Sequence, residues 1–299
     1  MLTYNKRIKR NRRRNILSNQ AAKTVGVILA STSANFRDTL LDGLSRAFYT
    51  KGVSMILGLT GNDISREQDC IRRFSEITDC IVVISCAKKY SEIAPAISGR
   101  VPMLFLINKP EGCPYTCILE NDYSAIYQAV LSHFNLKKGN VGCICNKRGL
   151  SSTEELLRAY RDAVETSSMP FSEDLIYDIR DNAAFDVHKL IIDFKEKGCT
   201  AILAATPAIT SRILDDLVFY NTNPLNEPLH LFGYGAVGSA LSSQMNIDII
   251  LHPVNQMIDL TTQQCIYMMN HPEYDNVRDF MIKGTLKMHT YDGLHAYHG

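Results

Sequence analysis

The chain has 299 residues, more than one typical hydrophobic core needs, which predicts two domains. Its 45% hydrophobic and 21% charged residues are typical of a globular protein. None of its apolar runs approaches the ~20 residues that cross a bilayer, so we expect no membrane contact.

The charge of the chain is distributed unevenly. The first 23 positions hold eight of the 32 basic residues and none of the 31 acidic residues, so a basic arm precedes an acidic body. This asymmetry indicates a polyanionic partner at one end of the chain. No apolar stretch follows the basic residues as it would in a signal peptide, and the nine cysteines include no C-x-x-C pair. We therefore expect a cytoplasmic protein with reduced thiols.

From Thr24 onward, short apolar runs alternate with amphipathic stretches. In the first half, strands are predicted at residues 24–29, 53–59, 80–84 and 102–107, and helices at residues 36–51, 65–77 and 91–97. Because these strands are apolar throughout and helices separate them, we expect a parallel sheet that is covered on both faces.

The pattern begins again at Asn140, where Val141-Gly-Cys-Ile144 repeats the earlier Val25-Gly-Val-Ile28. Further strands are predicted at residues 174–177, 201–205, 229–232 and 247–251. Three apolar stripes at helical spacing lie between them: Leu156, Leu157, Tyr160 and Val164; Val187, Leu190, Ile191 and Phe194; and Ile209, Ile213, Leu214 and Leu217. A helix over residues 255–270 and a strand pair over residues 279–287 indicate that the chain crosses back between the halves.

The predicted fold class is therefore α/β, with two similar parallel-sheet lobes, a cleft between them and a short basic segment in front. We divide the chain into an arm at residues 1–23, a first lobe at residues 24–135 plus 254–277, and a second lobe at residues 136–253 plus 278–299. Ligands of open α/β sheets bind at the carboxyl ends of the strands, which predicts a ligand site in the cleft.

Several short motifs follow one another in a particular order: Gly26-Val-Ile-Leu29, Phe36, Leu40-Leu-Asp-Gly43, Asp63-Ile-Ser-Arg-Glu67, Asn121-Asp-Tyr123 and Phe232-Gly-Tyr234. In order and spacing they resemble the LacI/GalR family of bacterial transcription regulators. The resemblance covers nearly the whole chain, from about residue 11 to residue 287. It implies a sensor with the class I periplasmic-binding-protein-like fold, whose cleft binds a small-molecule effector.

The arm resembles the hinge helix of that family at Asn11-Arg-Arg-Arg-Asn-Ile-Leu17. The resemblance implies a homodimer on a palindromic operator, in which Leu17 enters the minor groove while Arg12, Arg13 and Arg14 bind phosphates. The ten residues before Asn11 are too few for a helix-turn-helix reader. We therefore expect either a start that lies upstream or a regulator that has lost this reader.

The resemblance also implies which residues contact the effector. At four positions where the family commonly holds sugar hydroxyls, the chain has Ser31, Leu156, Thr206 and Gly235. A sugar needs charged partners to replace its water, so we expect an effector that is less polar or held differently, or none; a sugar derivative is still a candidate. The other candidate contacts are Asn35, Phe36, Asn108, Asn121, Asp122 and Asn255, of which Phe36 would stack on a ring.

Other chemistries fit the sequence less well. Gly233-Tyr-Gly-Ala-Val-Gly238 matches a dinucleotide-binding motif, but it lies deep in the second lobe and the next strand ends without an acidic residue for a ribose. No nucleophile lies beside an obvious base and the histidines are scattered, so we expect no enzyme, no cofactor and no metal. The leading hypothesis is a DNA-binding regulator with an effector cleft; the alternative is a solute-binding sensor of the same fold that does not bind DNA.

Overall fold

The computed structural model describes residues 23–30, 34–137, 139–179, 186–219, 229–235, 247–271 and 277–288. They form two lobes, each built on a six-stranded sheet. The predicted α/β class with two similar lobes is thereby confirmed. Among the described residues, no helix is both long and apolar enough to span a membrane.

Most helices and strands lie where the sequence predicts them, but the strand Thr116–Asn121 and the helix Tyr123–Lys137 were not predicted. In order they are β1 (Thr24–Leu29), α1 (Ala34–Thr50), β2 (Ser54–Leu59), α2 (Ile64–Ile77), β3 (Cys80–Ile84), β4 (Met103–Leu106), β5 (Thr116–Asn121), α3 (Tyr123–Lys137), β6 (Asn140–Cys145), α4 (Ser151–Thr166), β7 (Ile176–Asp178), α5 (Val187–Glu196), β8 (Cys199–Ala204), α6 (Pro207–Phe219), β9 (His230–Tyr234), β10 (Ile247–Leu251), α7 (Val254–Asn270), β11 (Asp279–Lys283) and β12 (Thr285–Lys287).

Each sheet takes one strand from the end of the chain. The first lobe has the strand order β11-β5-β4-β3-β1-β2, and all its pairs are parallel. The second has the order β12-β10-β9-β8-β6-β7, in which β12 is antiparallel to β10. The chain therefore crosses between the lobes three times: between β5 and α3, between β10 and α7, and at Gly284 between β11 and β12.

Helices cover both faces of each sheet, which explains why the strands are apolar throughout. In β1, Val25 and Leu29 pack in the same cluster as α1 and α7, whereas Ile28 points to the opposite face and packs with α2. In the second lobe, α3 and α4 cover one face, and α5 and α6 cover the other.

The structure differs from the sequence prediction at the lobe boundaries. Helix α3 packs on α4, because Ile126, Val130 and Phe134 belong to the core of the second lobe. The second lobe thus begins near residue 123 and not at residue 136. Strand β11, predicted in the second lobe, pairs with β5 in the first, so the predicted final strand pair is divided between the two sheets.

A second difference concerns residues 91–97, which were predicted to form a helix. They form two short 3-10 turns, Tyr90–Glu92 and Ala94–Ala96. Pro95 lies inside the second turn, where it has no amide hydrogen to donate, and so an α-helix does not continue through it.

The repeated Val-Gly sequence has the same packing role in both lobes. A Cβ on Gly26 in β1 would lie 2.5 Å from Cδ2 of Phe74 on α2, and a Cβ on Gly142 in β6 would lie 2.8 Å from Cδ2 of Phe194 on α5. In each lobe, the helix that follows the second strand therefore presses an aromatic ring onto the first strand at a position where there is no room for a side chain. The repeat seen in the sequence reflects this close approach.

We predict that Gly26→Ala destabilises the protein by about 1–3 kcal/mol, because the buried ring of Phe74 must move to admit the methyl group. The free energy of unfolding in urea measures this change. Ser54→Ala, at an exposed position of β2, is the control and should stay within about 0.5 kcal/mol of the unmodified chain. Equal stability of the two variants would contradict the packing argument.

Candidate functional site

A cavity of about 160 Å³ lies between the two lobes. Many of its lining residues directly follow strands, because the carboxyl ends of the parallel strands in both lobes face the same cleft. One ordered water needs roughly 10–15 Å³, so the cavity has room for a small molecule. The predicted location of a ligand site is therefore matched by a cavity of suitable size.

Five of the predicted effector contacts line this cavity. Phe36 comes from α1, and Asn108 and Asp122 follow β4 and β5 in the first lobe. Leu156 on α4 and Thr206 after β8 line it from the second lobe. These residues are separated by up to 170 positions in the sequence, and the fold brings them to one surface.

The other predicted contacts lie elsewhere. Asn121 ends β5 and pairs with Lys283, and Asn255 is exposed in the first turn of α7. Gly235 has φ of +91°, a conformation that favours glycine, and a Cβ there would lie 3.1 Å from the ring of Pro207. None of these three is among the residues that line the cavity.

Some predictions fall outside the described residues. These are Ser31, the side chain of Asn35, and the DNA-binding candidates Arg12, Arg13, Arg14 and Leu17.

A group of ionisable residues lies at the floor of the cavity, and two of its three members, Glu120 and His252, were not predicted from the sequence. Glu120, Asp122 and His252, here called the hinge triad, lie where the first two crossings leave β5 and β10. Nδ1 of His252 is 3.1 Å from Oε1 of Glu120 and 3.6 Å from Oδ2 of Asp122. The ring of Tyr234 stacks on His252 with 4.9 Å between the centroids. A single clue was available in the sequence: His252 directly follows a predicted strand.

Burial and mutual charge shift the pKa values in the hinge triad. Burial raises the pKa of Asp122 to about 6, with Glu120 adding to the shift and His252 opposing it. Burial lowers the pKa of His252, but the two carboxylates outweigh this effect and raise it to about 9. The two carboxyl groups therefore favour the protonated imidazole of His252.

A buried carboxylate shapes the first-lobe wall of the cavity. Glu67 on α2 accepts hydrogen bonds from the hydroxyl of Ser85 and, at 2.9 Å, from the backbone amide of Cys86. Both partners line the cavity after β3. Burial, with Glu67 close by, raises the pKa of the Cys86 thiol, which keeps it protonated and a poor nucleophile.

The lobes touch each other directly at one edge of the cavity, here called the lip. Oδ1 of Asn108 accepts a hydrogen bond of 2.6 Å from the hydroxyl of Ser152, and the backbone amide of Lys109 donates one of 2.8 Å to the hydroxyl of Ser151. The amide of Asn108 also donates to the carbonyl of Ser85 at 3.3 Å. Asn108 therefore holds the lobes together as well as lining the cavity.

Known proteins with similar sequences and structures agree with this architecture. The HTH-type transcriptional regulator GalR of Salmonella typhimurium is 21% identical over 161 residues, which are 54% of this chain and 47% of GalR. The resemblance to the LacI/GalR regulators is confirmed. The chain spans about half the length of the curated relatives it matches, and no protein-family model matches it. The named relatives are transcription regulators, which supports a protein that is not an enzyme.

Two solved structures share the fold. The transcription regulator CcpA of Lactococcus lactis has a TM-score of 0.74 at 15% identity, covering 90% of this chain and 100% of its own. The Cra transcriptional dual regulator of Pseudomonas putida, in complex with fructose 1-phosphate, has a TM-score of 0.77 at 13% identity with the same coverage. The predicted two-lobed, periplasmic-binding-protein-like fold is thus confirmed.

We predict that Ser152→Ala opens the lip. Loss of one hydrogen bond of about 1 kcal/mol shifts an equilibrium between closed and open lobes about fivefold toward the open form. Small-angle X-ray scattering of the ligand-free protein should show a larger radius of gyration. Ser132→Ala is the matched control, because Ser132 is half-buried and its hydroxyl bonds only within α3, to the carbonyl of Ala129. Superimposable scattering from the two variants would contradict the prediction.

Proposed function

We propose that this chain is the sensor of a DNA-binding transcription regulator of the LacI/GalR type. It binds a small-molecule effector between its lobes and acts as a cytoplasmic homodimer whose basic arms contact DNA. The observation that carries the proposal is the cavity at the carboxyl ends of both sheets, lined by residues of both lobes and of two crossings. A molecule bound there touches both lobes, so it favours the closed arrangement over the open one.

The lining of the cavity supports an effector with a polar and an apolar side. The second lobe contributes an apolar patch of Leu150, Leu156 and Ile179, beside polar side chains such as Lys147 and Thr153. The floor contributes Glu120 and Asp122, which accept hydrogen bonds. A free hexose is hydroxylated around its whole edge, so the hydroxyls that face this apolar patch would lose water without replacement. We therefore favour a sugar derivative or a ring compound with one apolar edge.

Effector specificity is testable by calorimetry with glucose, fructose 1-phosphate and adenosine. We expect glucose to bind with a Kd weaker than about 1 mM, corresponding to less than ~4 kcal/mol. For a probe that binds, Phe36→Ala should weaken affinity about tenfold through loss of ring stacking, whereas Tyr49→Ala, an exposed ring on the same helix, should not. Micromolar binding of glucose would contradict the proposed effector class.

In this proposal the arm carries the contact with DNA. Arg12, Arg13 and Arg14 bind phosphates, and Leu17 forms an apolar wedge in the minor groove. A helix this short does not form alone in water, so it orders only on DNA and beside its partner in the dimer. Lobe closure then determines how well the two arms meet on a palindromic operator.

Salt dependence tests the role of the arm. With six to eight phosphate contacts per dimer, log affinity for a mixed-sequence duplex should fall with log salt at a slope of about −5 to −7. Replacing Arg12, Arg13 and Arg14 with Ala removes six contacts per dimer and should reduce the steepness of the slope by about 5.

Replacing Arg46, Arg72 and Arg158 with Ala is the matched control, since all three are exposed and paired with acids in the body. This control should keep the original slope. A salt-independent signal, or one unchanged after deletion of residues 1–23, would refute the role of the arm. Absence of DNA binding would favour the alternative, a solute-binding sensor.

A further inference from the structure

We propose that the hinge triad of Glu120, Asp122 and His252 is a binding site for a divalent transition-metal ion of the zinc type. The sequence analysis did not predict a metal here, because His252 lies 130 positions after Asp122. The fold brings one ligand atom from each to within 4.8 Å of the others. Metal binding at this site requires neither DNA binding nor a particular effector.

The distances within the triad fit a tetrahedral ion. Zinc bonds imidazole nitrogen and carboxylate oxygen at about 2.0–2.2 Å, so neighbouring ligand atoms around a tetrahedral ion lie about 3.3–3.5 Å apart. Nδ1 of His252 lies 3.1 Å from Oε1 of Glu120 and 3.6 Å from Oδ2 of Asp122. Both distances from the imidazole nitrogen are thus close to those around a tetrahedral ion, and the two carboxylate oxygens lie within 4.8 Å of each other.

The charges within the triad favour a divalent cation. Two carboxyl groups lie beside a single imidazole in a buried place, where uncompensated negative charge is unfavourable. A divalent cation that replaces the proton of His252 balances both carboxylates. One imidazole with two carboxylates suits zinc, whereas magnesium prefers an octahedron of oxygen ligands.

An unsatisfied oxygen is the second observation that points to a ligand. Asp122 is 93% buried; the Tyr234 hydroxyl and the Gly284 amide approach its carboxyl group and lower its pKa, but its Oδ1 makes no hydrogen bond of good geometry to any described residue. Gly284, at the third crossing, is in close contact with this oxygen, and there is no space for a side chain at that position. Buried carboxylate oxygens normally have partners, and a bound cation would provide one.

The position of the triad gives the ion a structural consequence. Glu120 and Asp122 lie at the end of β5, where the first crossing begins, and His252 lies in the second crossing. One ion bound to all three would therefore connect the two crossings. With three protein ligands, the fourth position of a tetrahedral ion is open to water or to a ligand atom in the cavity. Metal binding would therefore restrict lobe movement and contribute to the floor of the effector site.

The test is titration of the full chain, with all thiols reduced, by zinc chloride in a calorimeter and by cobalt chloride in a spectrophotometer. We expect one ion per chain, and visible cobalt bands of a tetrahedral nitrogen and oxygen site. His252→Gln and Glu120→Gln should each weaken zinc affinity more than about 100-fold, since loss of a second-shell partner alone weakens it 10- to 100-fold. Magnesium chloride should give no comparable heat.

Two controls separate this site from other metal ligands. Replacing His289, His295 and His298 with Gln removes the histidines near the end of the chain and should leave zinc affinity within about twofold of the original. His230→Gln tests another buried histidine, which pairs with Asp248 at 3.0 Å away from the cavity, and should also leave affinity unchanged.

Three results would each overturn the proposal. They are the absence of stoichiometric zinc binding to the unmodified chain, a thiolate-to-cobalt charge-transfer band with the first equivalent, and undiminished affinity of a folded His252→Gln protein. If His252→Gln does not fold, Glu120→Gln and the cobalt spectrum of the unmodified chain decide the question.

Discussion

The three crossings of the chain between the lobes are the constraint on which the rest of the structure depends. Strands β11 and β12 lie on either side of the last crossing. Each sheet is therefore completed by a strand from the end of the chain, after most of both lobes has been built. The crossings leave the sheets at the carboxyl ends of β5 and β10, next to each other. A cleft with a hinge at its floor follows from this topology, and so does the meeting of the hinge triad at that floor.

Much of the fold was predictable because its signals are local. Apolar runs predicted β1, β3 and β10 with the observed ends, and the stripe from Leu156 to Val164 predicted α4. Strand β5 and helix α3 were not predicted. The buried residues Ile126 and Val130 of α3 have Tyr127 and Leu131 beside them, so the helix has little polar face and gives a weak periodic signal. The lobe boundary was misplaced for the same reason, since α3 is the element that begins the second lobe.

The site was predictable only where a family resemblance supplied the positions. Phe36, Leu156 and Thr206 were expected in the cleft and line the cavity, where their binding roles are a proposal. Glu120 and His252 were missed, because no pattern along the sequence joins residues that meet only through two crossings. The rule that ligands bind at the carboxyl ends of strands would have selected His252, which directly follows β10.

Helix α7 connects the floor of the cleft to the end of the arm. It begins at Val254, two residues after His252, and its 17 residues extend about 25 Å to Asn270. There the ammonium of Lys23 donates to the side-chain oxygen of Asn270 at 2.5 Å and to the carbonyl of Met269 at 3.2 Å. Lys23 is the last residue of the basic arm, and β1 begins directly after it. A rigid helix with one end at the hinge and the other at the arm moves both ends together. In the proposed regulator, α7 would therefore connect a ligand at the floor of the cleft to the arm through the core of the first lobe, where Met257, Ile258 and Cys265 pack.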